Sequence, residues 1–209
     1  MYNFHDEIAV NGFAVILRTD RSNSLSPIQI ARSLNPSKVQ VKKLVASSRE
    51  VARPNTLSSD FGFDEFPIHT DFVTQPKPPR YLILHARMAR RAKTILYNSQ
   101  ELIDLLGIEQ ISRSLFKVRS GYSYYFSSAY GQISGQNVFR INPTIMTPIN
   151  REGQLIWDVI MGHKISPAAT IDWALAESVI VDNWNMMHSR EAIKLSDNPT
   201  SIRRISIWN

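Results

Sequence analysis

The stretch that decides the fold is EFPIHTDFVTQPKPPRYLILH, which runs from Glu65 to His85. Its first part has the composition of a strand and places His69 two residues before Asp71. Side chains at positions i and i+2 of a strand face the same side, so both can point at one metal ion. After a proline-rich turn, the run from Tyr81 to His85 predicts a second, buried strand. The stretch therefore predicts two strands and part of a metal site.

The composition of the 209 residues limits the chemistry of that site. The chain has no cysteine, which excludes disulfides, thiolate metal sites and a cysteine nucleophile. Histidine and carboxylate remain as the strong ligands. The length suits one domain, which we assign to residues 1–209. The N-terminus, MYNFHDEIAV, has no basic region typical of a secretory signal, and no apolar run reaches the roughly 18 residues of a membrane span. We therefore expect a cytoplasmic protein without a membrane role.

The net charge of +6 raises the question of an anionic partner. Part of the excess lies in HARMARRAK, which holds Arg87, Arg90, Arg91 and Lys93. Basic patches bind phosphates or nucleic acid. No aromatic residue interleaves these charges, however, as a surface that stacks bases would require. A solvated loop or helix start is the favoured interpretation, so we do not expect a nucleic-acid partner. An anionic small molecule stays possible.

Many short strands and few helices characterise the rest of the chain. Ser26 followed by Pro27 is typical of a helix start, and Ser166 followed by Pro167 predicts a second start ahead of a strand at 179–182. The apolar spacing in NSQELIDLLGIEQISRSLF predicts a helix or a helix pair. The predicted strands include GFAVILR, residues 39–45, a hairpin in SGYSYYFSSAYGQISG, and the last segments WNMMHSREAI and IRRISIWN. This pattern favours a mainly β fold with flanking helices, closed or sandwiched.

Two ligands alone hold a reactive metal poorly, so a third must come from another segment. The other histidines are His5, His85, His163 and His188. We expect His5 to lie in a mobile terminus, His163 at a bend and His85 in the core. His188 differs, since it follows the Asp182–Asn183 turn in an extended stretch. Two histidines and one carboxylate form the facial triad of non-haem Fe(II) oxygenases, which leaves open positions on the ion.

Four blocks of the chain, in order, resemble the taurine-dioxygenase-like Fe(II)/2-oxoglutarate oxygenases, which include γ-butyrobetaine hydroxylase and clavaminate synthase. The blocks are FGFDEFPIHTDFVTQPKPPRYLILHA, VFRINPTIMTP, VDNWNMMHSREAI and RRISIW, and the resemblance spans residues 12–208. The specific motifs are P-x-H-T-D before PP and a strand, and DNW before H-x-R. The resemblance implies a double-stranded β-helix, or jelly roll. It also implies that His69 and Asp71 are the proximal iron ligands and that His188 is the distal one.

The resemblance further implies a binding site for the distal carboxylate of 2-oxoglutarate. The family's arginine matches the second residue of RRI, so we assign this role to Arg204, with Arg203 as the alternative. A guanidinium grips both oxygens of a carboxylate. Thr94 resembles a family threonine that assists, although RRAK here replaces the family's usual glycines. Arg190 lies two residues beyond His188 and could reach a carboxylate or form a salt bridge.

The activity implied is that of a dioxygenase using Fe(II), 2-oxoglutarate and O2. Such enzymes release succinate and CO2 and oxidise, most commonly hydroxylate, an unactivated C–H bond of a small polar metabolite. Asp71 argues against halogenation, because the halogenating relatives have a small residue at that position. Three alternatives remain: desaturation or cyclisation by the same chemistry, a non-catalytic binding member of the fold, and modification of a nucleic acid or a protein. The sequence leaves the substrate and the oligomeric state open.

Overall fold

The computed structural model describes residues 4–18, 26–194 and 201–209. Its strands are β1 (Phe13–Leu17), β2 (Lys38–Leu44), β3 (Phe66–His69), β4 (Tyr81–His85), β5 (Thr94–Asn98), β6 (Phe116–Ser120), β7 (Ser123–Ser127), β8 (Tyr130–Ile133), β9 (Gln136–Phe139), β10 (Met146–Pro148), β11 (Ala169–Ile171), β12 (Ala176–Asp182), β13 (Met186–Arg190) and β14 (Ile202–Trp208). Its helices are α1 (Phe4–Asn11), α2 (Pro27–Ser33), α3 (Leu57–Phe61), α4 (Ser99–Leu106), α5 (Ile108–Arg113) and α6 (Arg151–Met161).

Two antiparallel sheets form the centre of the molecule. The larger has the strand order β1-β12-β4-β14-β2, and the smaller has the order β11-β5-β13-β3. Apolar side chains from both sheets meet in one buried cluster, which includes Leu84, Val179 and Ile202 from the larger sheet and Leu96 and Met186 from the smaller. Two facing antiparallel sheets of this kind are the jelly roll, which confirms the predicted mainly β fold with flanking helices.

Helices cover the outer faces of both sheets. On the larger sheet, residues such as Ile83, Ile180 and Ile205 pack against Ile8 of α1 and Ile30 of α2. On the smaller sheet, a separate cluster joins β3, β5 and β13 to α4, α5, α6 and the three-stranded sheet β10-β6-β7. The strands of these two sheets therefore alternate between a face toward the other sheet and a face toward a helix layer, which sets the direction of the site side chains that lie on strands.

Local signals explain where several elements begin and end. Ser26 caps α2 with a capping box, in which its side chain accepts a hydrogen bond from the Gln29 amide while the Gln29 side chain accepts one from the Ser26 amide. Gly12, at φ +81°, follows α1, and a Cβ there would lie 2.6 Å from the sulfur of Met186. A side chain at this position would therefore meet both backbone strain and a clash.

Three predictions about local structure are wrong. The segment SGYSYYFSSAYGQISG does not form one hairpin, because β7 pairs with β6 and β8 pairs with β9 in separate sheets. The Ser166–Pro167 pair does not start a helix, because Ala169–Ile171 pairs with β5 and Ala176–Asp182 pairs with β1 and β4. Partners distant in the sequence outweigh the local start signal here. His5 is not in a mobile terminus either, since it belongs to α1, whose Phe4 and Ile8 are buried. In the part of the chain that the structure describes, no helix is long and apolar enough to cross a membrane.

Candidate metal centre

Two neighbouring strands of the smaller sheet bring the predicted histidines together. His69, the last residue of β3, is the register partner of His188 on β13. Their ring centroids are 4.2 Å apart, and both side chains are buried. Ile68 and Met187, one residue before each histidine, belong to the cluster under the helices. The alternation of the strands therefore turns both imidazoles toward the larger sheet.

Asp71 completes the group, although it lies beyond the end of β3. The potential ligand atoms of His69, Asp71 and His188 all lie within 4.8 Å of one another. The carboxylate therefore converges on the histidines from a turn rather than from a regular strand. The turn is anchored because the Thr70 amide donates to the carbonyl of Ile141 at 2.7 Å, and the Ile141 amide donates to the Thr70 hydroxyl at 3.1 Å.

Asn183 fixes the backbone of Asp71 from the other side. Its Oδ1 accepts a hydrogen bond from the Asp71 amide at 3.1 Å, and its Nδ2 donates to the Asp71 carbonyl at 3.2 Å and to the Pro79 carbonyl at 3.1 Å. The side chain is almost fully buried. Sequence analysis placed Asn183 only in a turn. Its side-chain amide lies between Asp71 and Pro79 only because β12 pairs with β4, and the sequence alone does not reveal that pairing.

Arg204 lies beside the triad, where its guanidinium contacts the carboxylate of Asp71. Its Nη1 donates to Asp71 Oδ2 at 2.6 Å, and only 14% and 16% of the two side chains are exposed. The buried Nε of Arg204 has no hydrogen-bond partner among the described residues. Arg203, the alternative, is exposed and lies on the opposite face of β14, in register with His85 and Lys43. Of the two arginines, the strand turns Arg204 toward the triad.

Phe72 packs against Arg204 and has a strained backbone conformation. Its φ of +61° lies in the left-handed region, which costs a non-glycine residue on the order of 1–3 kcal/mol. Its ring contacts Trp208 edge-on at 5.6 Å, and the Arg204 guanidinium carbon lies 4.6 Å from the ring centroid. The strained residue therefore directly follows Asp71 and also provides the ring that contacts Arg204.

Thr94 is buried on β5, on the same face as His188. The register places Thr94 opposite Arg190 and Leu96 opposite His188. The Thr94 hydroxyl accepts a hydrogen bond from the indole Nε1 of the fully buried Trp173 at 3.1 Å. This hydrogen bond uses an acceptor lone pair of the hydroxyl and leaves its O–H free to donate to a carboxylate. Among the described residues, no hydrogen bond of Thr94 to the triad or to Arg204 tests that role, so it stays a prediction.

The guanidinium of Arg190 is directed at a loop. It donates to the carbonyls of Gly62 at 3.1 Å, Asp64 at 2.5 Å and Glu191 at 3.2 Å. It also stacks on Phe66, 3.6 Å from the ring centroid. These contacts fasten the segment before β3 to the end of β13. They are structural contacts, but they are hydrogen bonds to backbone carbonyls and not the salt bridge that the sequence offered as the alternative. A carboxylate-binding role for Arg190 stays a prediction.

The protonation states of the triad suit a cation. Burial lowers the pKa of His69, and burial together with His69 lowers the pKa of His188 to about 3. Burial acts to raise the pKa of Asp71, but Arg204 and the two histidines bring it down to about 2. At neutral pH the group therefore offers two neutral imidazoles and one carboxylate, the forms that bind metal ions.

The donor set fits the group that the sequence implied. Two imidazoles and one carboxylate on neighbouring segments match the ligands of non-haem Fe(II) sites. The unpaired N–H of Arg204, beside the triad, matches a carboxylate bound at the same centre, because a buried donor without a partner is costly. The residues present thus fit both Fe(II) and an acid such as 2-oxoglutarate.

A separate cavity of about 430 Å³ contains none of these residues. Arg80, Tyr81 and Asp182 are among its lining, together with residues of α1 and α4. Asp182 is hydrogen-bonded there within its own turn, by the Trp184 amide and the Asn185 side chain. Since the convergent ligands lie elsewhere, we locate the candidate centre at the triad and not at this cavity.

No family model matches the chain, and no curated protein sequence matches it significantly. Solved structures do. The chain is similar to an asparagine oxygenase in complex with Fe(II), 3-hydroxyasparagine and succinate, with a TM-score of 0.58, 12% identity, and 80% of this chain and 56% of that chain covered. It is similar to PvcB from Pseudomonas aeruginosa, with a TM-score of 0.58, 14% identity, and coverage of 89% and 72%. It is also similar to the non-heme iron oxygenase OrfP in complex with Fe and α-ketoglutaric acid, with a TM-score of 0.54, 12% identity, and coverage of 80% and 56%.

These similarities confirm the fold that the sequence blocks implied. At such identities they show the architecture and not the reaction. The chain spans little more than half the length of the asparagine oxygenase and OrfP chains that it matches. The functional conclusion therefore depends on the site itself.

Proposed function

We propose that the chain is an Fe(II)- and 2-oxoglutarate-dependent dioxygenase with one catalytic domain, residues 1–209. The observation that carries the proposal is the group of His69, Asp71 and His188, whose ligand atoms lie within 4.8 Å of one another on a jelly roll. The similarity to oxygenases solved with Fe and α-ketoglutaric acid or succinate supports it. A complete triad beside an arginine whose Nε donor has no partner among the described residues disfavours a non-catalytic member of the fold.

His69, Asp71 and His188 would hold Fe(II), which supplies the redox chemistry that activates O2 when it is bound. The chain's own contribution is geometric and electrostatic. Asn183 and Thr70 fix the turn that carries Asp71, and Arg204 keeps its carboxylate ionised. The unfilled Nε donor of Arg204 would bind a carboxylate of 2-oxoglutarate, and Thr94 would assist it.

The reaction we propose is hydroxylation of an unactivated C–H bond in a small polar metabolite, with release of succinate and CO2. Two of the similar structures hold 3-hydroxyasparagine or hydroxy-arginine, products of this kind. By the resemblance, the halogenating relatives have a small residue where this chain has Asp71, which disfavours halogenation. Desaturation and cyclisation differ only in how the substrate lies, so product analysis decides between them and hydroxylation.

Succinate formation tests the proposal. The purified protein would be supplied with Fe(II), ascorbate, 2-oxoglutarate and a panel of amino acids and small polar metabolites. We expect O2-dependent succinate with at least one compound, loss of that signal with a chelator, and loss of it in the Asp71→Ala variant. The exposed Asp60→Ala variant is the matched control. Wild-type protein that is folded yet forms no succinate above the Asp71→Ala level with any compound overturns the proposal.

A further inference from the structure

The edge of the larger sheet beside Arg204 carries an unusual pair of like charges. Strand β2 pairs with β14 so that Lys42 is the register partner of Arg204 and Lys43 is the partner of Arg203. Like charges directly opposite each other on antiparallel strands are destabilising, by up to about 1 kcal/mol. Two such pairs in succession need an explanation other than the stability of the sheet.

The two pairs have different surroundings. Cross-strand partners share a face, so Lys42 lies with Arg204 on the face toward the triad, whereas Lys43 lies with Arg203 on the other face. Lys42 is exposed, and no hydrogen bond or ion pair joins it to any residue in 4–18, 26–194 or 201–209. It therefore presents an ammonium group to solvent one strand away from the Asp71–Arg204 pair.

Protection of a sheet edge is the simplest alternative role for these lysines. Charged side chains, lysines especially, discourage an edge strand from pairing with another chain. Lys38, Lys42 and Lys43 can all serve in that way, because β2 is exposed along nearly its whole length. Edge protection does not distinguish Lys42 from Lys43, however, and only Lys42 lies beside the candidate centre. The two residues therefore form a matched pair for an experiment.

A count of charges separates the two roles. Under the proposed function, Fe(II) and Arg204 bring three positive charges, and Asp71 with dianionic 2-oxoglutarate brings three negative charges. These groups are balanced without Lys42. Within residues 4–18, 26–194 and 201–209, the Lys42 ammonium then has no ion-pair partner and lies one strand away from a neutral centre. A substrate with one oxyanion group would neutralise it, whereas a cationic substrate would be repelled.

We propose that Lys42 binds an oxyanion group, a carboxylate or a phosphate, of the primary substrate and so selects anionic substrates. This inference rests on the proposed function and specifies its substrate class. Lys42 would orient the substrate through its charge while Fe(II) and the co-substrate are held by other residues. Because an ammonium is a point charge with three rotatable donors, we expect selection for charge more than for the geometry of the anion.

The test uses matched compounds that differ in one charge. The probes are N-acetyl amino acids against their amides, and sugar phosphates against the parent sugars, each titrated calorimetrically into the anaerobic Fe(II)–2-oxoglutarate protein. In at least one pair we expect the anion to bind about fivefold more tightly than its neutral partner, the scale of an exposed ion pair. Lys42→Gln should remove that preference, Lys42→Arg should keep it, and Lys43→Gln should behave as wild type. The affinity for 2-oxoglutarate should stay the same in all variants.

Three results overturn the inference while leaving the proposed function in place. They are a preference for the neutral member or no preference in every pair, equal effects of Lys42→Gln and Lys43→Gln, and a weaker affinity for 2-oxoglutarate in Lys42→Gln. The last result would assign Lys42 to the co-substrate. If the wild type binds neither Fe(II) nor 2-oxoglutarate, the proposed function fails and the inference falls with it.

Discussion

Two aspartates with little exposure, Asp71 and Asp182, each lie beside an arginine, and yet their pKa values shift in opposite directions. Arg204 and the triad histidines lower the pKa of Asp71 to about 2, against the effect of its burial. For Asp182, burial dominates and raises the pKa, although Arg80 and two hydrogen bonds act against it. Burial is therefore not what distinguishes the two carboxylates.

The two pKa shifts follow the distance of the arginine, which is 2.6 Å for Arg204 and Asp71 and 3.8 Å for Arg80 and Asp182, and the two carboxylates also differ in free acceptor capacity. Both oxygens of Asp182 accept hydrogen bonds within its own turn, from the Trp184 amide and the Asn185 side chain, and Arg80 is 3.8 Å away. Within the described residues, the carboxylate of Asp71 accepts one hydrogen bond, from Arg204. The hydrogen-bonded carboxylate of Asp182 stabilises the turn at the end of β12. A carboxylate with free acceptor capacity beside two neutral imidazoles is ready for a cation.

The largest effect we expect is the loss of iron binding on removal of a ligand. His69→Ala, Asp71→Ala and His188→Ala should each weaken Fe(II) binding by at least about 100-fold, since two protein ligands remain and even outer contacts of metal sites contribute 10–100-fold. Asp182→Asn should leave Fe(II) affinity unchanged. Anaerobic Fe(II) titration, with circular dichroism to verify folding, makes the comparison. A triad variant with wild-type affinity would show that the metal lies elsewhere.

The next effect concerns the co-substrate. Arg204→Ala should weaken 2-oxoglutarate binding by about 30-fold to several-thousand-fold, because truncating one partner of a buried charge pair costs about 2–5 kcal/mol. Arg204→Lys keeps the charge without the fork and should have a smaller effect. Arg203→Ala is the control on the opposite face of β14. A damaging Arg203→Ala beside a mild Arg204→Ala would contradict the observed register.

Asn183 should have an intermediate effect on iron. Asn183→Ala removes the hydrogen bonds on both sides of the Asp71 peptide unit, and we expect Fe(II) affinity to fall by about 10–100-fold, as for other residues that position a ligand. Asn183→Asp keeps the acceptor for the Asp71 amide but turns its other carboxylate oxygen toward the carbonyls of Asp71 and Pro79, so it should weaken Fe(II) binding at least as much as Asn183→Ala. The affinity is measured by the same anaerobic titration. If Asn183→Ala binds Fe(II) normally while folded, Thr70 alone positions the turn.

The smallest effect is a pH dependence of stability in the metal-free protein. The pKa of His188 falls from its ordinary 6.5 to about 3 in the folded state. Below pH 6.5 the unfolded chain therefore takes up a proton that the folded protein does not, and stability falls as the pH drops toward 3. From pH 7 to pH 5 the loss is on the order of 2 kcal/mol at about 1.4 kcal/mol per pH unit.

Urea unfolding with a chelator at pH 7, 6 and 5 measures this dependence. His188→Asn should flatten it, whereas His163→Asn, at an exposed position, should not. An identical slope in wild type and His188→Asn would mean that His188 is already protonated in the folded protein.

Much of the site follows from the sequence because its parts are local. The alternation at Arg203 and Arg204 belongs to a single strand, and the predicted direction of these side chains agrees with the structure. The spacing of His69 and Asp71 predicted that both face one ion, and their ligand atoms do lie together. The position of Asp71 beyond the end of β3 does not follow from the sequence, because where a strand ends depends on its partners. Only the pairing of β3 with β13 places His188 opposite His69.

The features that the sequence did not predict depend on contacts between distant segments. Asn183 was assigned to a turn, and its hydrogen bonds to Asp71 and Pro79 exist only in the folded chain. Helix α6 is not among the predicted helices, although Asn150 caps it through the Gly153 amide and Ile156 and Ile160 recur at helical spacing. The pairing of Lys42 with Arg204 likewise needs the register of β2 and β14.

One measurement tests the central claim most directly. 2-Oxoglutarate is titrated into the anaerobic Fe(II)-loaded protein, and the visible metal-to-ligand charge-transfer band of the keto acid on iron is followed. We predict a saturable band in the wild type and in Asp182→Asn, and none in His188→Ala or Asp71→Ala. A folded wild-type protein that shows no band with Fe(II) and 2-oxoglutarate in excess, or a band of equal strength in the triad variants, would contradict the account.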